Sequence, residues 1–524
     1  MSSDEQKYDD IPRDVINKRI QSEDQLATIR YVGPVPPTKG IWYGVEWDNI
    51  SRGKHDGLHD GVRYFTCSVP NSGSFIRPSP KIHFGRNLDT IYWAGNTKIE
   101  VEAIGWEKIR RKQRQLDRLT EVGLSFERIS NAGKPGEIET TCPNIIDLNL
   151  SKNLISDWET VARICDQLKK LQVLRLNYNR FQGLKVVPDF KISFTNLKNL
   201  SLNYTRIEWK QIELLEPCLL NLENLQLGFN NIKNFGDIDG EKENQIKKSK
   251  IKGFSKLKTL NLESNIIDSW DEIARFSGLP QLETLFISNN LINNIYYPKG
   301  VDNQEFPKLK YLNVSENKIN DWQNVNELNR FPSLEELRIK KNPLFDSIKA
   351  DEAYILIVGR IKGLKMMNGS MISSSDRIDT ERYYLRLCIK DLKSSDEIEK
   401  HHPRFKELCE IHGEPTFDDR SSKATSSMLK DRLITLTITH RKSLDEEPIK
   451  IISKKLLGTL TLRNLKNIFQ KSFGIPASQQ RLYAIIKDET VKGTSISKFE
   501  MNDDLRQLSY YDFISGDEII ILSK

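Results

Sequence analysis

The stretch RGKHDG, residues 52–57, sets a lysine, a histidine and an aspartate between two glycines. Such a loop could offer a point charge, an imidazole and a carboxylate. Glycine adopts positive φ freely and lets another backbone come close, at a cost in chain entropy. No nucleophile or paired acid lies beside His55, so it reads as a neutral hydrogen-bonding group, not a catalyst. The loop reads as a receiving surface. His401, His402, Cys409 and His412 could suggest a metal, but they lack a second ligand pair and fit a solvated helix better. Cys67, Cys142, Cys165, Cys218, Cys388 and Cys409 include no CxxC pair, which argues against zinc and a disulfide framework. With no GxxxxGK[ST] phosphate loop either, the expectation is no enzyme, no cofactor and no metal.

The elements that must position the loop are strand-like. QLATIRYVG, GIWYGVEWD, GVRYFTC and GSFIRP are short aromatic and β-branched runs broken by Gly and Pro, as in a small antiparallel barrel. The run GIWYGVEWDNISRGKHDGLHDGVRYFTC…GSFIRP resembles a CAP-Gly domain. The usual family loop is GKNDG; His55 stands where most members carry Asn, a form similar to that of the tubulin-folding cofactor E family.

That resemblance implies a groove for an acidic C-terminal tail ending in Glu-Glu-Tyr or Glu-Glu-Phe, built from Gly53, Lys54, His55, Asp56 and Gly57 with nearby aromatics. Lys54 would supply the cation, and the glycine-flanked amides would approach the terminal carboxylate. Trp42, matching the family's groove tryptophan, and Phe75 would flank the terminal ring, while Arg77 holds a second carboxylate. Many members have an aromatic five residues before that tryptophan; Pro37 stands there in this chain. Trp47 and Tyr64 read as core of the barrel.

From Ile145 the period changes. IIDLNLSKN, LQVLRLNYN, LENLQLGFN, LKTLNLESN, LETLFISNN, LKYLNVSEN and LEELRIKKN share L-x-x-L-x-L-x-x-N, and LKNLSLNYT ends in Thr205 instead of Asn. These are leucine-rich repeats. Asn153, Asn179, Asn230, Asn265, Asn290, Asn317 and Asn342 should form a backbone-bonding ladder. SDWETV, DSWDEI and NDWQNV should cap short helices whose Trp158, Trp270 and Trp322 pack on the convex side. The charged insertion after Phe235 reads as a surface loop. Facing the concave sheet, Asn149, Arg175, Asn177, Asn203, Gln226, Phe286, Tyr311 and Arg338 make a mixed polar and aromatic surface suited to a protein partner.

GWEKIRRKQRQLDRLTEV has helical spacing and should close the N-terminal end of the array. After residue 429, RLITLTITHR, EPIKIISKKL, an amphipathic TLRNLKNIFQKSFGIP with Leu462, Leu465, Ile468 and Phe469 inward, QQRLYAII and GDEIIIL follow the order of a ubiquitin-like domain. The chain ends without Gly-Gly, so this module should bind rather than be conjugated. The expected division is a polar tail over 1–21, CAP-Gly over 22–86, a linker and N-terminal cap over 87–140, repeats over 141–345, their C-terminal cap over 346–388, a charged linker over 389–428 and a ubiquitin-like β-grasp over 429–524.

The 524 residues, 38% hydrophobic and 29% charged with a net charge of +7, fit a cytoplasmic multidomain protein. No dense basic block suggests nucleic acid, and no stretch is long and apolar enough for a membrane span. The module order is similar to that of the tubulin-folding cofactor E family. The resemblance implies binding to α-tubulin, and action with other tubulin cofactors and an Arf-like small GTPase in assembling or dissociating αβ-tubulin; the ubiquitin-like domain could recruit the proteasome. A microtubule-binding adaptor would share the groove but would usually add a coiled coil or a second CAP-Gly, and neither is seen.

Overall fold

The computed structural model describes residues 15–88, 116–236, 250–298, 305–391, 395–415, 433–458, 460–490, 493–511, 513 and 516–523. The aromatic and β-branched runs of the first module become β1 (Arg19–Ser22), β2 (Gln25–Pro34), β3 (Ile41–Trp47), β4 (Leu58–His59), β5 (Val62–Arg63), β6 (Gly73–Ile76) and β7 (Ile82–Phe84). Five of them make an antiparallel sheet in the order β6-β3-β2-β1-β7, while β4 and β5 form a separate hairpin. Inward residues of alternate positions, among them Ile20, Ile29, Val45 and Trp47, fill the core. Trp47 is 1% exposed and is core as expected. Tyr64 departs from that expectation: it is half-exposed, and its ring joins a surface cluster described below.

β7 leads through Gly85 alone into β8 (Arg86–Asn87), which has left the first sheet. β8 pairs in parallel with β10 (Ile129–Asn131), a strand that follows β9 (Glu121–Gly123). Of the stretch expected to be a basic helix, residues 105–115 lie outside the described residues, and Glu121–Gly123 is a strand. The reason is an open sheet edge. Thr120 O accepts from the amides of Ile146 and Asp147, and β9 pairs in parallel with the first repeat strand.

The eight repeats supply β11 (Asp147–Asn149), β12 (Val173–Arg175), β13 (Asn199–Ser201), β14 (Asn224–Gln226), β15 (Thr259–Asn261), β16 (Thr284–Phe286), β17 (Tyr311–Asn313) and β18 (Glu336–Arg338). With β9 before them, and β19 (Met366–Met367) and β20 (Ser370–Met371) after, they form one 11-stranded sheet. Its middle residues, Leu148 through Leu337, stand in register from strand to strand and point into a continuous core. Burying each leucine contributes about 1.5–3 kcal/mol, and only neighbours can bury it, so the array is cooperative.

The asparagine ladder forms. Asn265 Nδ2 donates to Leu262 O in its own repeat and to Leu227 O in the preceding one, while its Oδ1 accepts from the amides of Asn230 and Ile232. Thr205 keeps half of this pattern, its hydroxyl donating to Leu202 O at 2.7 Å. On the convex side Asp157, Ser269 and Asp321 cap helices Trp158–Asp166, Trp270–Ala274 and Trp322–Leu328. Trp158 and Trp270 are buried, and Trp322 packs partly buried against the same core. The charged insertion, residues 237–249, lies outside the described residues.

Helices Ser374–Asp391, Ser395–His401 and Phe405–His412 follow the array. His402 is not on a solvated helix face: its ring is half-buried and bonds the hydroxyl of Tyr384 at 2.8 Å. The last module, described by itself, has β21 (Leu433–Arg441), β22 (Lys450–Leu457), helix Leu462–Phe473, β23 (Gln480–Thr490), β24 (Gly493–Met501) and β25 (Glu518–Ser523). The sheet order β22-β21-β25-β23-β24, with β21 and β25 parallel, is a β-grasp. Leu462, Leu465 and Phe469 are buried on the helix's inner stripe, with Ile468 partly so. Among the described residues no helix is long and apolar enough to cross a membrane.

Candidate peptide-binding groove

β6 delivers Phe75 to the surface beside β3, and six rings converge on it. Ring centroids lie at 5.0 Å for His55, 5.4 Å for Tyr64, 5.5 Å for Phe65, 5.8 Å for His59, 6.3 Å for Tyr31 and 6.5 Å for Trp42. Most of these contacts are edge-to-face, the arrangement that suits the ring quadrupole. Gly44 pairs with Phe75 across the strands, and a Cβ on Gly44 would come within 2.4 Å of the Phe65 ring. The missing side chain is what lets Phe65 lie under the cluster. Trp42, Tyr31, Tyr64 and Phe75 remain half-exposed, so the cluster is a surface and not a core.

Trp42 is held from two sides. Its indole N–H donates to Thr38 Oγ1 at 2.8 Å, and the Arg77 guanidinium lies over its ring at 3.9 Å. Gly40, at φ +87°, leaves the room: a Cβ there would sit 2.8 Å from Arg77 Nη1. Lys54, next in the chain to His55, is exposed, and its amide is bonded to Gly73 O. Arg77 thus borders the aromatic patch, and the exposed Lys54 follows in the loop that carries His55.

The glycines act differently from expectation. Gly53 has φ −70°, open to any residue, but a Cβ on it would meet Asn71 O at 2.0 Å. Gly57 has φ +97°, and its Cβ would meet Phe65 O at 2.0 Å. Each makes room for the protein's own backbone. The loop amides are not available for a carboxylate either: Lys54 and His55 both donate to Gly73 O, Gly53 to Ile50 O, and Gly57 to His55 Nδ1. The expected amide cradle is therefore corrected to a side-chain site. The Asp56 carboxylate is committed as well, paired with Arg63 at 3.0 Å and held below its ordinary pKa first by that hydrogen bond. Asp56 thereby ties the loop to the hairpin.

His55 accepts the Gly57 amide through Nδ1 at 3.0 Å, which leaves the proton of a neutral ring on Nε2. Burial, then His59 and Lys54, push its pKa below the ordinary value against the opposing charge of Asp56. The sequence reads His55 as a neutral hydrogen-bonding group, and its ring lies 5.0 Å from that of Phe75.

On the repeats, Arg175, Gln226, Phe286, Tyr311 and Arg338 lie on the strands' outward positions. Phe286 and Tyr311 are in ring contact at 4.9 Å, and Arg338 lies over Tyr311. Arg175 is paired with Asp147 of the neighbouring strand. Asn177 serves the array itself, its Oδ1 accepting the Asn203 amide at 2.8 Å. A second surface was not anticipated. The residues just before successive ladder positions are Tyr178, Tyr204 and Phe229, all at positive φ, and their rings stack at 4.4 and 4.2 Å. Lys152 extends the row, its ammonium lying between Phe126 and Tyr178. The signal was in the sequence, as an aromatic preceding the ladder residue in three consecutive repeats.

Comparison with known proteins supplies the rest. Residues 16–80 match the family model of the CAP-Gly domain. The chain is 33% identical to tubulin-specific chaperone E of Mus musculus, covering 98% of this chain and 99% of that protein. It is 32% identical to tubulin-folding cofactor E of Arabidopsis thaliana over 90% of this chain and 91% of that one. Among solved structures, the C-terminal ubiquitin-like domain of mouse tubulin-specific chaperone E matches 19% of this chain and 94% of its own, at 23% identity and a TM-score of 0.15.

Proposed function

The chain belongs to the tubulin-specific chaperone E family, and from that premise we propose that it captures α-tubulin by two contacts on one polypeptide. The acidic C-terminal tail enters the groove of the first module, and the folded body rests on the repeats. One observation carries the reading: a half-exposed aromatic cluster centred on Phe75 with Lys54 and the Trp42-stacked Arg77 at its margins. A terminal aromatic fits against Phe75 and Trp42, while Lys54, Arg77 and the Nε2 proton of His55 meet carboxylates. Two modest contacts on one chain raise effective concentration, so the pair holds what neither holds alone. If the body contact favours α-tubulin free of its β partner, binding shifts the dimer equilibrium. The β-grasp module recruits a further protein.

The test is peptide binding by fluorescence polarisation with the full chain. A peptide ending in Glu-Glu-Tyr should bind at least about tenfold tighter than one lacking the tyrosine, since burying an aromatic side chain contributes about 1.5–3 kcal/mol. Lys54→Ala with His55→Ala, or Arg77→Ala, should weaken it further and steepen with falling salt in the wild type. Equal affinity for both peptides refutes the groove assignment.

A further inference from the structure

We propose that Arg180 and Arg206 of the repeats are positioning residues that latch the first module, and with it the tail groove, in one fixed orientation on the array. This rests on the proposed capture of α-tubulin and specifies how its two contacts are held in register.

The latch is a cluster of four arginines around two carboxylates. Within the first module, Arg19 holds both oxygens of Asp48 at 2.6 Å, and Arg30 holds Glu46 at 2.9 Å. From the repeats, Arg206 reaches Glu46 Oε1 at 3.3 Å and Ser68 Oγ at 3.3 Å. Arg180 Nε approaches Asp48 Oδ1 at 3.7 Å. The two repeat arginines are only 17% and 20% exposed at this junction, and the Glu46 side chain is 4% exposed. Buried charges are tolerated only when paired, so Arg206 adds a bond to Glu46 while Arg180, held by Tyr204 O of its own array, adds its charge beside Asp48. Burial alone would raise both carboxyls. The Ser68 and Arg30 bonds with the Arg206 charge hold Glu46 below its ordinary pKa, and Arg19 with Arg180 and Arg206 does the same for Asp48.

A second joint follows β7. The only residue between β7 of the first sheet and β8 of the repeat cap is Gly85, and a Cβ on it would meet Ser130 at 2.1 Å. The next side chains lock the strand down: Arg86 donates to Glu127 O and pairs with its carboxylate, and Leu88, 0% exposed, sits in the repeat core. The two joints share one sheet, since Phe84 before Gly85 pairs with Ile20 beside Arg19, and a piece held at both turns less freely than one held at either alone. The groove lies on the same strand, β3, whose end carries Glu46, and Phe65 of the cluster lies three residues before Ser68. Orientation set at the latch is therefore transmitted to Trp42 and Phe75 through one sheet.

The consequence is a chelate advantage. A tail bound in a groove of fixed orientation presents the body of α-tubulin to the repeats at a higher effective concentration than a swivelling module would. The experiment compares the full chain with Arg180→Glu/Arg206→Glu. Affinity for an isolated acidic tail peptide should be unchanged, because neither arginine touches the groove, while affinity for intact α-tubulin falls about tenfold. A pulsed-EPR distance between labels at Ser79 and Lys340 should be narrow in the wild type and broad in the variant. Where the double reversal does not fold, Arg206→Gln carries the same split at about threefold. Unchanged affinity for α-tubulin, or equal losses for peptide and α-tubulin, overturns the proposal. A wild-type chain that binds no tail peptide instead refutes the groove, an outcome read before any latch variant is made.

Discussion

Replacing Gly57 by alanine separates two explanations of the loop glycines. If they keep space for a ligand, Gly57→Ala should leave the module folded and abolish binding. The geometry says the reverse. The position has φ +97°, and the added Cβ would lie 2.0 Å from Phe65 O and 2.6 Å from Phe65 C. An ordinary contact is 3.4 Å or more, so the Phe65 backbone must retreat by more than an ångström while the Tyr64 amide is bonded to Gly57 O at 2.9 Å. Left-handed strain costs about 1–2 kcal/mol for a residue with a side chain, and overpacking of this kind adds about 1–3 kcal/mol. The sum is about 2–5 kcal/mol, a large fraction of what holds a small module together. Gly53→Ala meets Asn71 O at the same 2.0 Å but with φ −70° and ψ 156° carries no strain, so it should cost only about 1–3 kcal/mol. Hydrogen exchange on the full chain reads both. Amides in the Tyr43↔Ile76 and Val45↔Ser74 pairs of β3 and β6 should exchange at least roughly 30-fold faster in Gly57→Ala, less so in Gly53→Ala, with repeat amides unchanged. Wild-type exchange in Gly57→Ala together with lost peptide binding would refute the backbone-packing account.

Asn290→Ala removes donors to Leu262 O and Ile287 O and the acceptor of the Ile267 amide, all buried; it should cost about 2–4 kcal/mol and loosen exchange in both flanking repeats. His55 has its pKa depressed by burial, then by His59 and Lys54, so the loop's stability from the neutral ring is full above about 6.5 and declines as pH falls below it. An NMR titration midpoint at or above 6.5 would contradict this. His402 is pushed down to about 4, by burial first and then by Arg360 and His401, so its contribution is complete above about 6.5 and is lost progressively towards pH 4. After discounting for its partial exposure that is about 1–2 kcal/mol. Exchange of helix Ala350–Arg360 should quicken over that interval, and His402→Phe should remove the pH dependence.

What could be read in advance was what repeats or what a motif fixes locally. The ladder asparagines, the Asp157, Ser269 and Asp321 caps and the inward face of helix Leu462–Phe473 each follow from spacing within a dozen residues. The CAP-Gly resemblance points to Lys54, Phe75, Trp42 and Arg77, and the structure puts Phe75, Trp42 and Arg77 in contact. What escaped was decided by partners distant in the chain. That the loop amides are spent on Gly73 O and His55 Nδ1 depends on β6 folding back beside the loop. Tyr64 reads as core because it is aromatic in a strand-rich run, and only the position of Phe75 makes it part of a surface. His402 looks solvated beside His401 until Tyr384 is placed.

The two latch arginines show where a further rule could be found. Each follows a ladder residue directly, Arg180 after Asn179 and Arg206 after Thr205, in neighbouring repeats; elsewhere that position holds Leu154, Asn231, Ile266, Leu291, Lys318 and Pro343. Because consecutive repeats stack in register, two like residues at one repeat position must emerge side by side. A pair of arginines so placed repels, and although Arg180 also donates to Asn179 O and Tyr204 O, an anion relieves the repulsion best once water is excluded. Among the described residues the carboxylates that approach are Glu46 and Asp48 of the first module. A repeat row that gathers one sign of charge without an internal counter-charge is therefore a place to look for a docking face. Substituting Arg180 alone with leucine should relieve burial of a charge whose pKa is pushed down to about 10, yet leave Asp48 with Arg19 and the weaker field of Arg206. The module should stay folded and lose part of its fixed orientation, a smaller broadening of the same label distance than the double reversal gives.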